Sequence, residues 1–173
     1  MLLVSHDQVA VRRLAQHVVV LEGGRVVDQG PTRPTLDRAT LQTMPSHPGP
    51  INLLRVEQVR PMGDHSEGLI GEQRFYLAHR ASGPTAYVRC LPHDVAVTRE
   101  DVPRISMRNH LRGRVRDLVY VRDALVGEQV YVAVDVGQTL WARLTRAACQ
   151  DLELQPGRSV VCLIKATAME HVA

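Results

Sequence analysis

Lysine is almost missing from this chain: of 21 basic side chains, 20 are arginine and one, Lys165, is lysine. Aromatic residues are equally scarce, at 3%. The net charge of +3 is spread thinly, as +1 over residues 1–50, 0 over 51–104 and +2 over 105–173. A nucleic-acid surface needs concentrated positive charge, and a single-strand binder also needs stacking rings, so no nucleic-acid partner is expected. No apolar run approaches the roughly 20 residues of a membrane-spanning helix. Met1-Leu2-Leu3-Val4 is too short and lacks the basic leader of a secretion signal. Only three cysteines occur, Cys90, Cys149 and Cys162, an odd and widely spaced set that favours a reducing compartment over a disulfide framework. What is present, 173 residues at 45% hydrophobic, suffices for one ordinary domain or two small ones.

The lone lysine lies in an unusual place. It follows Val160-Val161-Cys162-Leu163-Ile164, which reads as a largely buried strand. A lysine at a strand end can lay its stem on apolar surface and send its ammonium to water. It can equally be a compact cation held at the edge of a core to meet an anion. The strand alone leaves both readings open.

Residues 1–42 read as the end of an α/β unit. Leu2-Leu3-Val4 is a short apolar strand, and Ser5-His6-Asp7 contains two good helix N-caps. Val9, Val11, Leu14 and Ala15 recur at helical spacing. Val18–Leu21 reads as a buried strand, Gly23-Gly24 as a hairpin turn, Arg25-Val26-Val27 as the return, and Thr35–Leu41 as a short helix.

The string from Leu2 to Pro31, "LLVSHDQVAVRRLAQHVVVLEGGRVVDQGP", resembles the last part of an ABC-transporter ATPase domain. The resemblance implies that His6 is the switch histidine that contacts the terminal phosphate of the nucleotide. An imidazole at the carboxyl end of a strand is suited to reach a phosphate oxygen. A G-x-x-x-x-G-K-[ST] loop is missing, as are a signature motif and an apolar strand ending in Asp-Glu. ATP hydrolysis requires phosphate clamp, metal and positioned water together. The chain alone is therefore not expected to be an enzyme, and ATP would bind only to a longer parent, of which this is the C-terminal portion.

Residues 43–50, with three prolines and a glycine, read as a linker. Residues 51–104 read as short strands at Asn52–Val59, Gly68–Ile70, Arg74–Ala78, Thr85–Cys90 and Asp94–Thr98. Cys90 and His93 have the spacing of half a metal site, but no second pair follows.

Residues 105–173 show strands at Gly113–Tyr120, Glu128–Val136, Thr139–Leu144 and Ser159–Lys165, with a helix over Ala147–Leu154. The pattern suggests a small closed barrel of OB type, so the chain is expected to be mainly β, with an OB-like barrel after a truncated α/β tail. Arg112, Arg114 and Arg116 alternate on one face and read as a solvated edge strand.

Within this stretch, "ISMRNHLRGRV", "VDVGQTLWARLTRAACQDLELQPGRSV" and "CLIKATAME" resemble the molybdate-binding Mop, or TOBE, domain, with residues 51–104 similar to the weaker first half of the same region. Together with the ATPase tail, this order is similar to the ATP-binding subunit of molybdate importers. The resemblance implies a tetrahedral oxyanion, molybdate or tungstate, bound at subunit interfaces of paired barrels. It implies that Ser106, Arg108, Thr145 and Lys165 face that anion. A dianion leaving water needs several convergent donors and opposite charge, which this set supplies. One donor of the family's pattern is replaced here by Ala148. The resemblance further implies a homodimer through the barrel region, a membrane permease partner for the parent, and a cytoplasmic location peripheral to the inner membrane. Two other readings remain: a ligand-free dimerisation barrel, and the regulatory barrel of an importer for another solute.

Overall fold

The computed structural model describes residues 2–42, 50–123 and 127–172, so the linker expected at 43–50 lies, except for its last residue, outside the described residues. The chain divides between residues 50 and 51 into two compact units.

In the first unit, helix α1 (Gln8–Leu14) is capped by Asp7, whose carboxylate accepts from the N–H of Val9 at 2.9 Å. A hairpin follows, β1 (His17–Glu22) and β2 (Arg25–Pro31), turning through Gly23 and Gly24 at φ of 55° and 75°. Those left-handed angles are open to glycine without a Cβ clash. Helix α2 (Thr32–Gln42) packs on both strands, and a buried Arg12–Asp37 ion pair ties α1 to it. Two expectations need correction here. Leu2–Val4 forms no strand, with Leu2 and Val4 91% and 88% exposed, because no ladder partner lies beside it among the described residues. Val18–Leu21 is a strand but not a buried one, since Val19 and Leu21 are exposed on the face that α2 does not cover.

The second unit holds ten strands around one core. They are β3 (Asn52–Met62), β4 (His65–Ile70), β5 (Gln73–Leu77), β6 (Gly83–Cys90), β7 (Val95–Thr98), β8 (Asn109–Asp123), β9 (Gly127–Asp135), β10 (Thr139–Thr145), β11 (Ser159–Ile164) and β12 (Glu170–Val172). Helix α3 (Arg146–Asp151) links β10 to β11, two residues shorter than the span 147–154 suggests. Alternating side chains drive the strands: every second residue of β4 is buried. Leu54, Ile70, Phe75 and Leu77 join Leu111, Leu140 and Ile164 in one continuous core, each fully buried. Each such side chain contributes roughly 1.5–3 kcal/mol by leaving water.

Two five-stranded sheets result, in the orders β12-β6-β3-β4-β5 and β10-β9-β8-β11-β7. In the second, the end strands β10 and β7 come alongside each other, so the sheet curls as in an OB-like fold. The chain is mainly β, as expected. The two sheets are built alike: β3 pairs with β4 and β6 as β8 pairs with β9 and β11, and β4 pairs with β5 as β9 pairs with β10. Each half then gives its last strand to the other, β7 antiparallel to β11 and β12 antiparallel to β6. The fifth strand of the C-terminal sheet is therefore drawn from residues 95–98 rather than from 105–173.

Four side-chain amides join the sheets at matching places. Asn52 bonds the backbone of Trp141 and Asn109 that of Tyr76; Gln73 bonds Arg112 and Gln138 bonds Arg55, each through both amide atoms. A carboxamide satisfies one N–H and one C=O at once, as a neighbouring strand would.

The arginine stripe needs a further correction. Arg112, Arg114 and Arg116 lie on β8, which is the middle strand between β9 and β11 and not an edge. They are exposed and paired: Arg112 with Asp101 at 2.8 Å, Arg116 with Asp135 at 2.6 Å, and Arg114 donating to the Gly157 carbonyl at 3.2 Å. Alternation reveals which face is wet, while position within the sheet depends on strands distant in sequence.

Candidate oxyanion site

Ser106 and Arg108 stand on the loop that leads into β8, and Lys165 directly follows β11. The β8–β11 ladder ends with Ile164 opposite Asn109, so Lys165 and Arg108 are the next residues beyond its end. All three candidate residues are exposed. Their loop is held from below. Asn109 is fully buried, and its Oδ1 accepts from the Tyr76 N–H at 2.6 Å while its Nδ2 donates to the Tyr76 carbonyl at 3.1 Å. Next to it, His110 bridges Asp101 and the Met107 carbonyl, at 2.5 and 2.7 Å. The His110 hydrogen bond, with the Arg112 charge behind it, holds the Asp101 carboxyl below the usual carboxylate range.

The Arg108 guanidinium lies over the Tyr76 ring, 4.6 Å from its centroid. Arg108, Tyr76 and His65 of β4 line a recess of about 280 Å³ that Ala166, the neighbour of Lys165, also lines. The structure thus brings the Ser106–Arg108 loop and the start of the Lys165-Ala166 turn to one end of the sheet.

Thr145 stands on β10, a strand paired with neither β8 nor β11. It closes β10, opposite Gln129 of β9, which in turn lies opposite Val121 of β8. Val121 is twelve positions along β8 from Asn109, while on its other side β10 comes alongside β7, whose Val95 is opposite Ile164. The Thr145 hydroxyl caps α3, accepting from the Ala148 N–H at 3.2 Å. His6 lies in the first unit, exposed, in the segment before Asp7.

The matching halves allow a comparison that sequence reading misses. By the equivalence of Asn52 with Asn109 and of the ladder ends Cys90 and Ile164, Ile51 stands where the second half has Arg108, and Leu91 where it has Lys165. The first half keeps the frame without the cations. The repeat escapes notice in the sequence because hydrogen-bonding amides, and not identical strings, preserve it. Tyr76 was missed for a related reason: a single residue in a strand has no motif, and only the fold sets it against the loop. Cys90 and His93 show no metal centre, since no group of three or more ligating side chains occurs among the described residues. Burial pushes the Cys90 thiol up to about 12, leaving it protonated and inert.

Known sequences decide the kinship of this arrangement. Residues 105–170 match the TOBE domain.

The C-terminal part of this chain is a TOBE domain.

Across nearly its full length, the chain with this TOBE domain is similar to molybdenum import ATP-binding proteins. It is 34% identical over 176 residues to ModC of Pseudomonas fluorescens, covering 97% of this chain and 48% of that protein. It is 36% identical over 172 residues to ModC of Thiobacillus denitrificans, covering 97% and 47%. The chain spans about half the length of the curated relatives it matches. Among solved structures, the fold is similar to that of ModG, a cytoplasmic molybdate-binding protein crystallised with molybdate bound. That likeness has a TM-score of 0.52 at 21% identity and covers 69% of this chain and 94% of that one. The TOBE domain thus shares its last-strand exchange with the segment before it. Among the described residues, no helix is long and apolar enough to cross a membrane.

Proposed function

We propose that this chain is the C-terminal regulatory and pairing part of a molybdate importer's ATP-binding subunit, which binds molybdate or tungstate between two copies of itself. The observation that carries the reading is the pairing of Ile164 with Asn109, which brings Arg108 and Lys165 to the same end of the sheet. Two cations and the Ser106 hydroxyl beside exposed backbone are suited to a dianion that has left bulk water. Thr145, on β10, would add a further hydroxyl donor from either copy of the pair. The similarity to molybdenum import proteins and to the ModG fold supports the choice of anion.

In this reading the domain arrangement is an ATPase tail over 1–42, a linker over 43–50, and a barrel region in two parts over 51–104 and 105–173. Anion capture would favour one arrangement of the paired subunits and so bias the attached ATPases in the cytoplasm, beside their membrane permease. Such a bias requires unequal affinity for the two arrangements, because equal binding shifts nothing. His6 would contact the nucleotide's terminal phosphate only in the parent ATPase.

Isothermal titration of molybdate into the chain, with sulfate as control and light scattering alongside, tests the proposal. The expected result is saturable binding by a dimer, lost in Lys165→Ala and unaffected by sulfate. A stable dimer without heat of binding would leave a ligand-free pairing barrel. That second reading is favoured by one contact, the use of the Thr145 hydroxyl as a helix cap.

A further inference from the structure

The recess beside Arg108 contains a group that no motif assigns. Tyr76 belongs to the first half of the unit, on β5 between the fully buried Phe75 and Leu77, while Arg108 belongs to the second half. The Arg108 guanidinium sits over the Tyr76 ring at 4.6 Å from the centroid. Tyr76 itself is fixed from two sides. Asn109, the residue after Arg108, bonds its backbone N–H and C=O at 2.6 and 3.1 Å. The His65 ring stacks on the phenol at a centroid distance of 5.3 Å and an interplanar angle of 20°. His65 is held in turn by Asp64 at 2.9 Å. The aromatic platform and the backbone that bears the arginine are thus one hydrogen-bonded unit.

We propose that Tyr76 is the positioning residue for Arg108: its ring holds the guanidinium in place beside the Lys165-Ala166 turn, ready to receive the oxyanion. The inference rests on the oxyanion reading above and adds the group that orients its cation. An exposed arginine loses much rotamer freedom when it captures a ligand, and a cation–π contact that has already ordered it lowers that loss. A planar guanidinium lying on a ring keeps its N–H edge free for a bidentate bond to two anion oxygens. The other half supplies a contrast. Its aromatic at the matching place, Trp141, is buried, and Ile51 stands in place of the arginine.

The test is a double-mutant cycle read by molybdate titration of the full chain. Tyr76→Leu is expected to weaken binding about two- to fivefold, the worth of a cation–π contact at an exposed site. Tyr76→Phe, which keeps the ring, should bind as the natural chain does. In an Arg108→Ala background, Tyr76→Leu should cause no further loss, a non-additivity that a merely structural residue lacks. Equal losses in both backgrounds would overturn the proposal. So would a Tyr76→Phe variant as weak as Tyr76→Leu. If Tyr76→Leu does not fold, NMR of the natural chain decides: the Arg108 side-chain protons should keep their upfield ring-current shift when molybdate saturates the site. Their return to ordinary values on binding would show that the arginine leaves the ring, and the proposal falls. A natural chain that takes up no molybdate at all would overturn the oxyanion reading and this inference together, whereas binding indifferent to Tyr76 overturns only the inference.

Discussion

Asn52 and Trp141 lie 89 residues apart in sequence, yet the Asn52 side chain bonds the Trp141 backbone twice. Its Nδ2 donates to the carbonyl at 2.8 Å, and its Oδ1 accepts from the N–H at 2.7 Å. Asn52 is 2% exposed and Trp141 6%, so water cannot substitute at either bond. Asn52→Leu keeps the volume and deletes both bonds. It should lower stability by about 1–3 kcal/mol, the usual cost of stranding buried polar groups. A urea midpoint equal to that of the natural chain, with the same slope, would rule this out.

Gly113 occupies the tightest approach in the second sheet. A Cβ there would come within 2.4 Å of the Asp135 carbonyl oxygen and 2.7 Å of a Val134 methyl. Backbone cannot yield as a flexible side-chain end can, so Gly113→Ala should cost about 1–3 kcal/mol through overpacking. Gly127 gives the contrast in space, with nothing within 4 Å, although its φ of +81° still penalises a side chain. Thermal unfolding of Gly113→Ala at the natural Tm would contradict this account.

Thr145 separates two roles. As a cap it bonds the Ala148 N–H, and Thr145→Ala should cost about 1 kcal/mol whether or not an anion binds. Thr145→Ser retains the hydroxyl and should restore both stability and binding. Stability unchanged in Thr145→Ala would remove the capping role and return Thr145 to ligand binding alone.

The terminal strand β12 should loosen in mild acid. His171 of β12 and His79 meet edge to face, with ring centroids 4.8 Å apart. Burial first, and then the charge of His171, hold the His79 pKa below its ordinary value. The other charged groups at this end of β12 are Glu170 and Arg89 of β6, paired with each other at 2.6 Å. The unfolded chain therefore takes up a proton on His79 near its ordinary pKa of about 6.5, before the folded chain does. Stability contributed by neutral His79 is complete above that pH and falls as the pH drops below it. Corrected for the slower intrinsic exchange in acid, the protection of the β12–β6 amides should fall between pH 7.5 and 5.5, about one unit either side of the ordinary pKa, and should fall less in His79→Gln. An equal loss of protection in both proteins would refute the assignment.

Most strands were legible because the alternation along β4 and β6 and the continuous apolar run of β11 are local properties of neighbouring side chains. The β1–β2 hairpin was legible for a different local reason, its Gly-Gly turn. The short strand Glu170–Val172 was not, because three residues carry too little pattern and pair with a strand some eighty residues earlier. The arginine stripe was read on the right face but in the wrong strand position, because β11, the second strand that flanks β8, comes from well beyond it in sequence.

The chemical inventory was open to inspection in the letters: a lone lysine after an apolar strand, the SMRN segment before another, and the strings that resemble the TOBE domain. Those features are local, and side-chain chemistry does not wait on folding. Which groups meet was decided only by the tertiary structure. The β8–β11 register sets Arg108 and Lys165 at one end of the sheet, with Thr145 on β10, a strand paired with neither β8 nor β11. It also sets Tyr76, from the other half, beneath Arg108. The physical reason is that strand register and strand exchange are chosen by the burial of a whole core and by the pairing of backbone groups from distant segments, and no single segment contains that choice.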